Sequence, residues 1–184
     1  GGAIVRAVSA SERSVVGTFH THEPAIEGPC ERLDITDSRR FEELISQYSP
    51  NVVINCAAMT DVDACESDPE QARRVNGVDP GEMAHIAQDY RVGFVQISTD
   101  YVFDGEKVDR YEPGDTPNPI QVYGKSKLRG ERAVRDVHSA PWIVRLSFVY
   151  GRNVQGDLEG FSAWVLNRLE DGESTPLFRD QHIT

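Results

Sequence analysis

Phe94-Val95-Gln96-Ile97-Ser98-Thr99-Asp100-Tyr101-Val102-Phe103-Asp104-Gly105, followed by Tyr123-Gly124-Lys125-Ser126-Lys127, is the stretch whose reading decides the fold. An apolar, β-branched run from Val92 to Ser98 passes abruptly into hydroxyls and a carboxylate. That pattern predicts a buried parallel strand whose polar end is its functional end. In open α/β sheets, ligands gather at the carboxyl ends of the strands. Tyr123 and Lys127 are four residues apart and share one face of a helix.

The pair has a chemical reading. A free tyrosine titrates near pH ~10, too high for easy proton exchange at neutral pH. A lysine ammonium one turn away favours the phenolate and lowers that value. The result is a proton donor or acceptor suited to carbonyl/alcohol interconversion, with Thr99 placed to hydrogen-bond the same substrate oxygen. Tyr-x-x-x-Lys alone fits a solvated helix start equally well. The Ser98-Thr99-Asp100 strand end upstream favours a site.

These residues carry a resemblance. Ser98-Thr99-Asp100-Tyr101-Val102-Phe103-Asp104-Gly105 with Tyr123-Gly124-Lys125-Ser126-Lys127 resembles the extended short-chain dehydrogenase/reductases, and within them the dTDP-4-dehydrorhamnose reductase family. The eight-residue block is the more specific of the two. The resemblance implies a Rossmann-like doubly wound parallel sheet and NADPH or NADH as cofactor. It implies Thr99, Tyr123 and Lys127 as catalytic residues, with Lys127 also on the nicotinamide ribose. It implies Thr99, Asp100 and Phe148 on the sugar nucleotide, although a strand-end aromatic such as Phe148 also fits the core, and Ser98, Tyr123 and Lys127 among the cofactor contacts.

Upstream, Gly1 to Val8 reads as a helix already under way and Ser14–Phe19 as a short strand. By resemblance, Gly2 would be the trailing glycine of the turn that cradles the cofactor pyrophosphate. Gly1-Gly2 reads equally well as an appended pair. Thr18 is followed by Phe19 and His20 rather than a carboxylate, so nothing there repels a 2′-phosphate and NADPH is allowed. His20-x-His22 with Glu23 fits a polar loop better than a metal site. Leu33 and Ile35 suggest a short strand, with Thr36 or Asp37 as the cap of a helix over 38–49. Asp34 and Ile35 would flank the adenine by resemblance, although an Asp in that position also caps a turn.

Val52–Ala58 reads as a buried strand ending in small residues, which let backbone approach a flat cofactor. The resemblance puts Ala57, Ala58, Met59 and Thr60 at the nucleotide. Asp68-Pro69 opens a helix expected to run to Tyr90, and the resemblance implies that Asn76, matching an Asn of the family, holds backbone near the site. The long loop 104–121, with Pro113, Pro117 and Pro119, would border the substrate. Helix 123–137 is expected to pack Leu128, Ala133 and Val134 inward and to point Arg129, Glu131, Arg132 and Arg135 outward. Trp142–Gly151 reads as another buried strand, 161–169 as a helix, and 175–181 as a strand opening a smaller domain.

Composition narrows the class. The chain has 184 residues and a net charge of −11, which disfavours binding to nucleic acid or anionic membrane. Only three of 19 basic residues are lysine, which fits a salt-loving source or a GC-rich genome. No apolar run reaches membrane-spanning length, no signal peptide is evident, and the three cysteines lack metal spacing, so a reduced cytoplasmic enzyme without metal is expected.

The expectation is an α/β chain with residues 1–155 as the NAD(P)-binding domain and 156–184 as the start of a substrate domain. The sequence reads as an interior portion of such an enzyme, without the first strand and most of the substrate domain. The function expected is reduction of a nucleotide-linked 4-keto-6-deoxysugar, and a homodimer is possible. The rival readings are a sugar-nucleotide epimerase or dehydratase, and a non-catalytic subunit on the same fold.

Overall fold

A computed structural model describes residues 1–11, 13–24, 26, 28–147, 149, 151–152 and 158–175. The chain divides into two compact units, one of residues 33–147 and one of residues 1–32 with 148–183. The smaller unit carries α1 (Gly2–Ser9) and two parallel strands, β1 (Gly17–Phe19) and β2 (Cys30–Arg32), paired from Gly17↔Cys30 to Phe19↔Arg32. The second strand therefore ends at Arg32, directly before the Leu33–Ile35 stretch that sequence reading favoured. The same unit also contains the antiparallel pair β6 (Gly151–Arg152) and β7 (Leu158–Glu159), and α7 (Gly160–Glu170).

The larger unit holds Thr99, Tyr123 and Lys127. Its elements are α2 (Ser38–Tyr48), β3 (Val52–Asn55), α3 (Val62–Ser67), α4 (Pro69–Arg73), α5 (Asp79–Asp89), β4 (Gly93–Thr99), α6 (Val122–Val137) and β5 (Trp142–Leu146). The strands form a parallel sheet in the order β3-β4-β5. Helix starts follow their caps: Asp37 accepts from Arg40 N–H, Asp61 from Ala64 N–H and Asp68 from Gln71 N–H. The core is Leu33, Phe41, Leu44, Ile45, Met83, Ala84, Ala87, Val92, Phe94 and Val134, with Val53 and Ile143 packed against it.

The strands are buried on one face, not two. Val52, Ile54, Trp142, Val144 and Leu146 alternate onto the other face and are exposed. Among the described residues, α2, α5 and α6 cover the first face, and no helix of this unit covers the second.

The helix expected from Asp68 to Tyr90 is interrupted. Residues Arg74–Val78 form a π-helical turn between α4 and α5. Pro80 explains it, because a proline nitrogen cannot donate to the Asn76 carbonyl in α-helical fashion. The Asn76 carbonyl abuts α6 at Gly130, where a Cβ would lie 2.1 Å from it. Among the described residues no helix is long and apolar enough to cross a membrane.

Candidate active site

The carboxyl ends of β3 and β4 and the first turns of α6 meet in the larger unit. Thr99 closes β4 and caps the 3₁₀ turn Asp100–Val102, accepting from Tyr101 N–H at 3.2 Å. Its hydroxyl donates to Asp100 Oδ1 at 3.1 Å. Gly124 lets the start of α6 close onto this turn: a Cβ there would sit 2.1 Å from the Tyr101 carbonyl oxygen. Tyr123 is thereby set edge-on to Tyr101, with ring centroids 5.8 Å apart. Gln121 gives α6 no side-chain cap, and Glu66 serves instead, accepting from Val122 N–H at 2.8 Å.

Burial governs both titrating groups. It lifts the Tyr123 hydroxyl above its ordinary value, and a hydrogen bond with Thr99 pulls the other way. It lowers Lys127 to about 8, against the attraction of Glu131 and Cys56. Lys127 is 4% exposed, and its ammonium donates to the Ile97 carbonyl at 2.7 Å. The expected direct influence of Lys127 on Tyr123 is therefore not what sets either group here. Each is pushed towards its neutral form by loss of water.

A second set of bonds shapes the loop after β3. Asn76 Oδ1 accepts from Met59 N–H at 2.8 Å, and its Nδ2 donates to the Met59 carbonyl at 2.9 Å and to Ser126 Oγ at 3.0 Å. Asn55 Oδ1 accepts from Ala57 N–H at 3.1 Å, while its Nδ2 donates to Gln96 Oε1 at 2.9 Å. Gln96 in turn donates to the Ile97 carbonyl, which Lys127 also reaches. The segment Ala57–Thr60 is thus tied to β4 and α6 through buried amides.

Ser98 lies on the helix-covered face, and its hydroxyl donates to Glu131 Oε1 at 2.6 Å. Only its main chain is left at the strand end. Asp34 forms a turn, accepting from Thr36 N–H at 3.0 Å, while Ile35 packs on the core. Gly2 opens α1 in the other unit. Phe148 lies outside the described residues.

One sequence expectation is reversed. Glu131 is not outward but fully buried, and Arg145 of β5 grips it with two bonds of 2.8 and 2.6 Å. The signal was present: Gly124, Lys127, Glu131 and Val134 follow helical spacing along one inward stripe. Arg129, Arg132 and Arg135 are exposed as expected.

The family model described as the RmlD substrate binding domain matches residues 1–184. The chain is 51% identical over 185 residues to a probable low-salt glycan biosynthesis reductase of Haloferax volcanii, covering 100% of this chain and 62% of that protein. A hypothetical dTDP-4-dehydrorhamnose reductase from Sulfolobus tokodaii matches with TM-score 0.81 and 35% identity, over 94% of this chain and 59% of that one. A dTDP-4-dehydrorhamnose reductase from Bacillus anthracis, solved in complex with NADP, matches with TM-score 0.71 and 31% identity, over 80% and 53%. The chain spans less than two thirds of the length of each.

Proposed function

The chain belongs to the family described as the RmlD substrate binding domain, and from that premise we propose that it is the cofactor-binding part of a reductase acting on a nucleotide-linked 4-keto-6-deoxysugar, of the dTDP-4-dehydrorhamnose type. On this reading residues 1–155 bind the cofactor and 156–184 begin the substrate part. The observation that carries the proposal is the convergence of Thr99, Tyr123 and Lys127 at the carboxyl edge of β4, held there by Gly124 and the buried amides.

NADPH or NADH fits the residues present. Ala57 and Ala58 offer bare backbone, and Asn76 fixes the Met59 main chain from both sides. Ala57, Ala58, Met59, Thr60 and the Ser98 main chain would line the nucleotide, Asp34 and Ile35 the adenine, and Lys127 the ribose hydroxyls. The group supplies a hydride when bound. Tyr123 holds the proton for the developing alkoxide, and burial keeps that phenol protonated, as a donor requires. Thr99 orients the carbonyl oxygen, and Asp100 contacts the sugar. Proton donation of this kind is worth about 10²–10⁴-fold, with positioning supplying much of the rest.

Tyr123→Phe tests the assignment. Turnover should fall by about two to four orders of magnitude while NADPH affinity stays unchanged. Retained turnover would refute the role of Tyr123.

A further inference from the structure

The long connection from the 3₁₀ turn to α6 is internally built. Phe103 stacks on Tyr111 with centroids 4.2 Å apart and planes 11° from parallel. Tyr111 donates to Asp104 Oδ1 at 2.6 Å, and Asn118 donates to Asp104 Oδ2 at 2.9 Å. Glu106 N–H donates to the same carboxylate at 3.1 Å, and Lys107 reaches Asp115 at 2.6 Å. All of these bonds lie within the loop and fix its shape without fixing its place.

Pro119 packs at Gly124 at the far end of the loop, and the near end is held from β5. The Arg145 guanidinium stands 5.1 Å from the centroid of the Phe103 ring. Glu131 holds that guanidinium through Nε and Nη2, and the carboxylate is fully buried while the arginine side chain is 15% exposed. An arginine can serve both contacts at once, because its edge bonds the carboxylate and its face meets the ring. A lysine at the same position offers a point charge and no face.

We infer that Arg145 is a positioning residue: gripped by Glu131, it seats the Phe103–Tyr111 stack and so sets loop 103–118 as the wall against which the sugar nucleotide binds. The identity of that ligand rests on the reductase reading. The loop leaves β4 directly after Thr99 and Asp100 and re-enters the site at Tyr123, so a displaced wall alters the space between those groups. A pair serving stability alone would not make substrate affinity depend on Phe103, which lies outside the ion pair.

The test uses the complete reductase of which this chain is the cofactor-binding part, and two variants, Phe103→Leu and Arg145→Lys, the first of which leaves the buried pair intact. Amide hydrogen exchange without ligand should show about a tenfold or greater loss of protection in 104–118, with β4 and α6 unchanged. The KM for a dTDP-4-keto-6-deoxysugar should rise about tenfold while kcat and the NADPH dissociation constant hold. Unchanged exchange in both variants overturns the anchor. A loosened loop with an unchanged KM overturns the positioning role. A wild-type protein that binds NADPH but reduces no 4-keto sugar refutes the reductase reading and the substrate wall together; the exchange profile still decides whether Arg145 anchors the loop.

Discussion

Asn76 holds Met59 by both edges of one amide: the Met59 N–H donates to Oδ1 at 2.8 Å and the Met59 carbonyl accepts from Nδ2 at 2.9 Å. The asparagine is 1% exposed and sits in the π-helical turn that Pro80 imposes. A helix irregularity is thereby converted into a fixed loop beside the strand ends.

Asn76→Ala removes three side-chain bonds. At about 0.5–1.5 kcal/mol each, the chain should lose about 2–3 kcal/mol, or roughly 5–10 °C in thermal midpoint. Nicotinamide cofactor affinity should fall with it. Asn76→Asp should do no better, because a carboxylate cannot donate to the Met59 carbonyl. Differential scanning calorimetry and a cofactor titration check both.

Gly124→Ala should be damaging although alanine favours helices. The new Cβ would meet the Tyr101 carbonyl oxygen at 2.1 Å, and both sides of the contact are backbone. The first turn of α6 must move away from the 3₁₀ turn, taking Tyr123 from Thr99. We expect a cost of about 1–3 kcal/mol or more and a kcat loss out of proportion to the change in cofactor affinity. Chemical denaturation and steady-state kinetics on the same preparation separate the two effects.

Lys127 gives a pH signature. Burial lowers its folded-state value to about 8, from 10.5. Between those values the unfolded chain holds a proton that the native chain has shed, so this residue makes stability rise with pH across that window. Below pH 8 the cost of burying the ammonium is present in full. The stability difference between wild type and Lys127→Met should therefore move in favour of wild type by on the order of 3 kcal/mol from pH 7 to pH 10.5. Urea melts at several pH values check it, and Lys127→Met should lose turnover throughout.

Asp104 is shifted in the same direction, but here it is the charged form that the fold stabilises. Bonds from Tyr111, Asn118 and the Glu106 N–H lower its carboxyl to about 2, from 3.8. Its contribution is complete above the ordinary carboxylate value and is lost as pH falls through about 2. Exchange protection in the loop should thus hold down to about pH 4 and fade towards pH 2, whereas Asp104→Asn should lack much of it at neutral pH.

Much of this arrangement was legible in the residues. The apolar run ending in Ser98-Thr99-Asp100 is β4 with its 3₁₀ turn, and the i, i+4 spacing of Tyr123 and Lys127 falls on α6. Caps at Asp37 and Asp68 mark their helices. Long-range pairings were not legible. Glu131 was expected in solvent because charged residues usually lie there, and its partner Arg145 is 14 residues away on another element. Pro80 did announce a broken helix, but periodicity on either side masked it. Strand alternation in Trp142–Leu146 was hidden because both faces carry apolar residues, so the uncovered face read as core.

The central claim is net hydride delivery to a sugar-nucleotide carbonyl, and the most direct measurement is absorbance at the nicotinamide band during turnover of dTDP-4-dehydrorhamnose, with the product quantified in parallel. The account predicts one NADPH or NADH oxidised for each 4-keto sugar reduced to the alcohol. Conversion of a sugar nucleotide with no net cofactor oxidation would contradict it in favour of an epimerase or dehydratase. Cofactor binding without any conversion would contradict it in favour of a non-catalytic subunit.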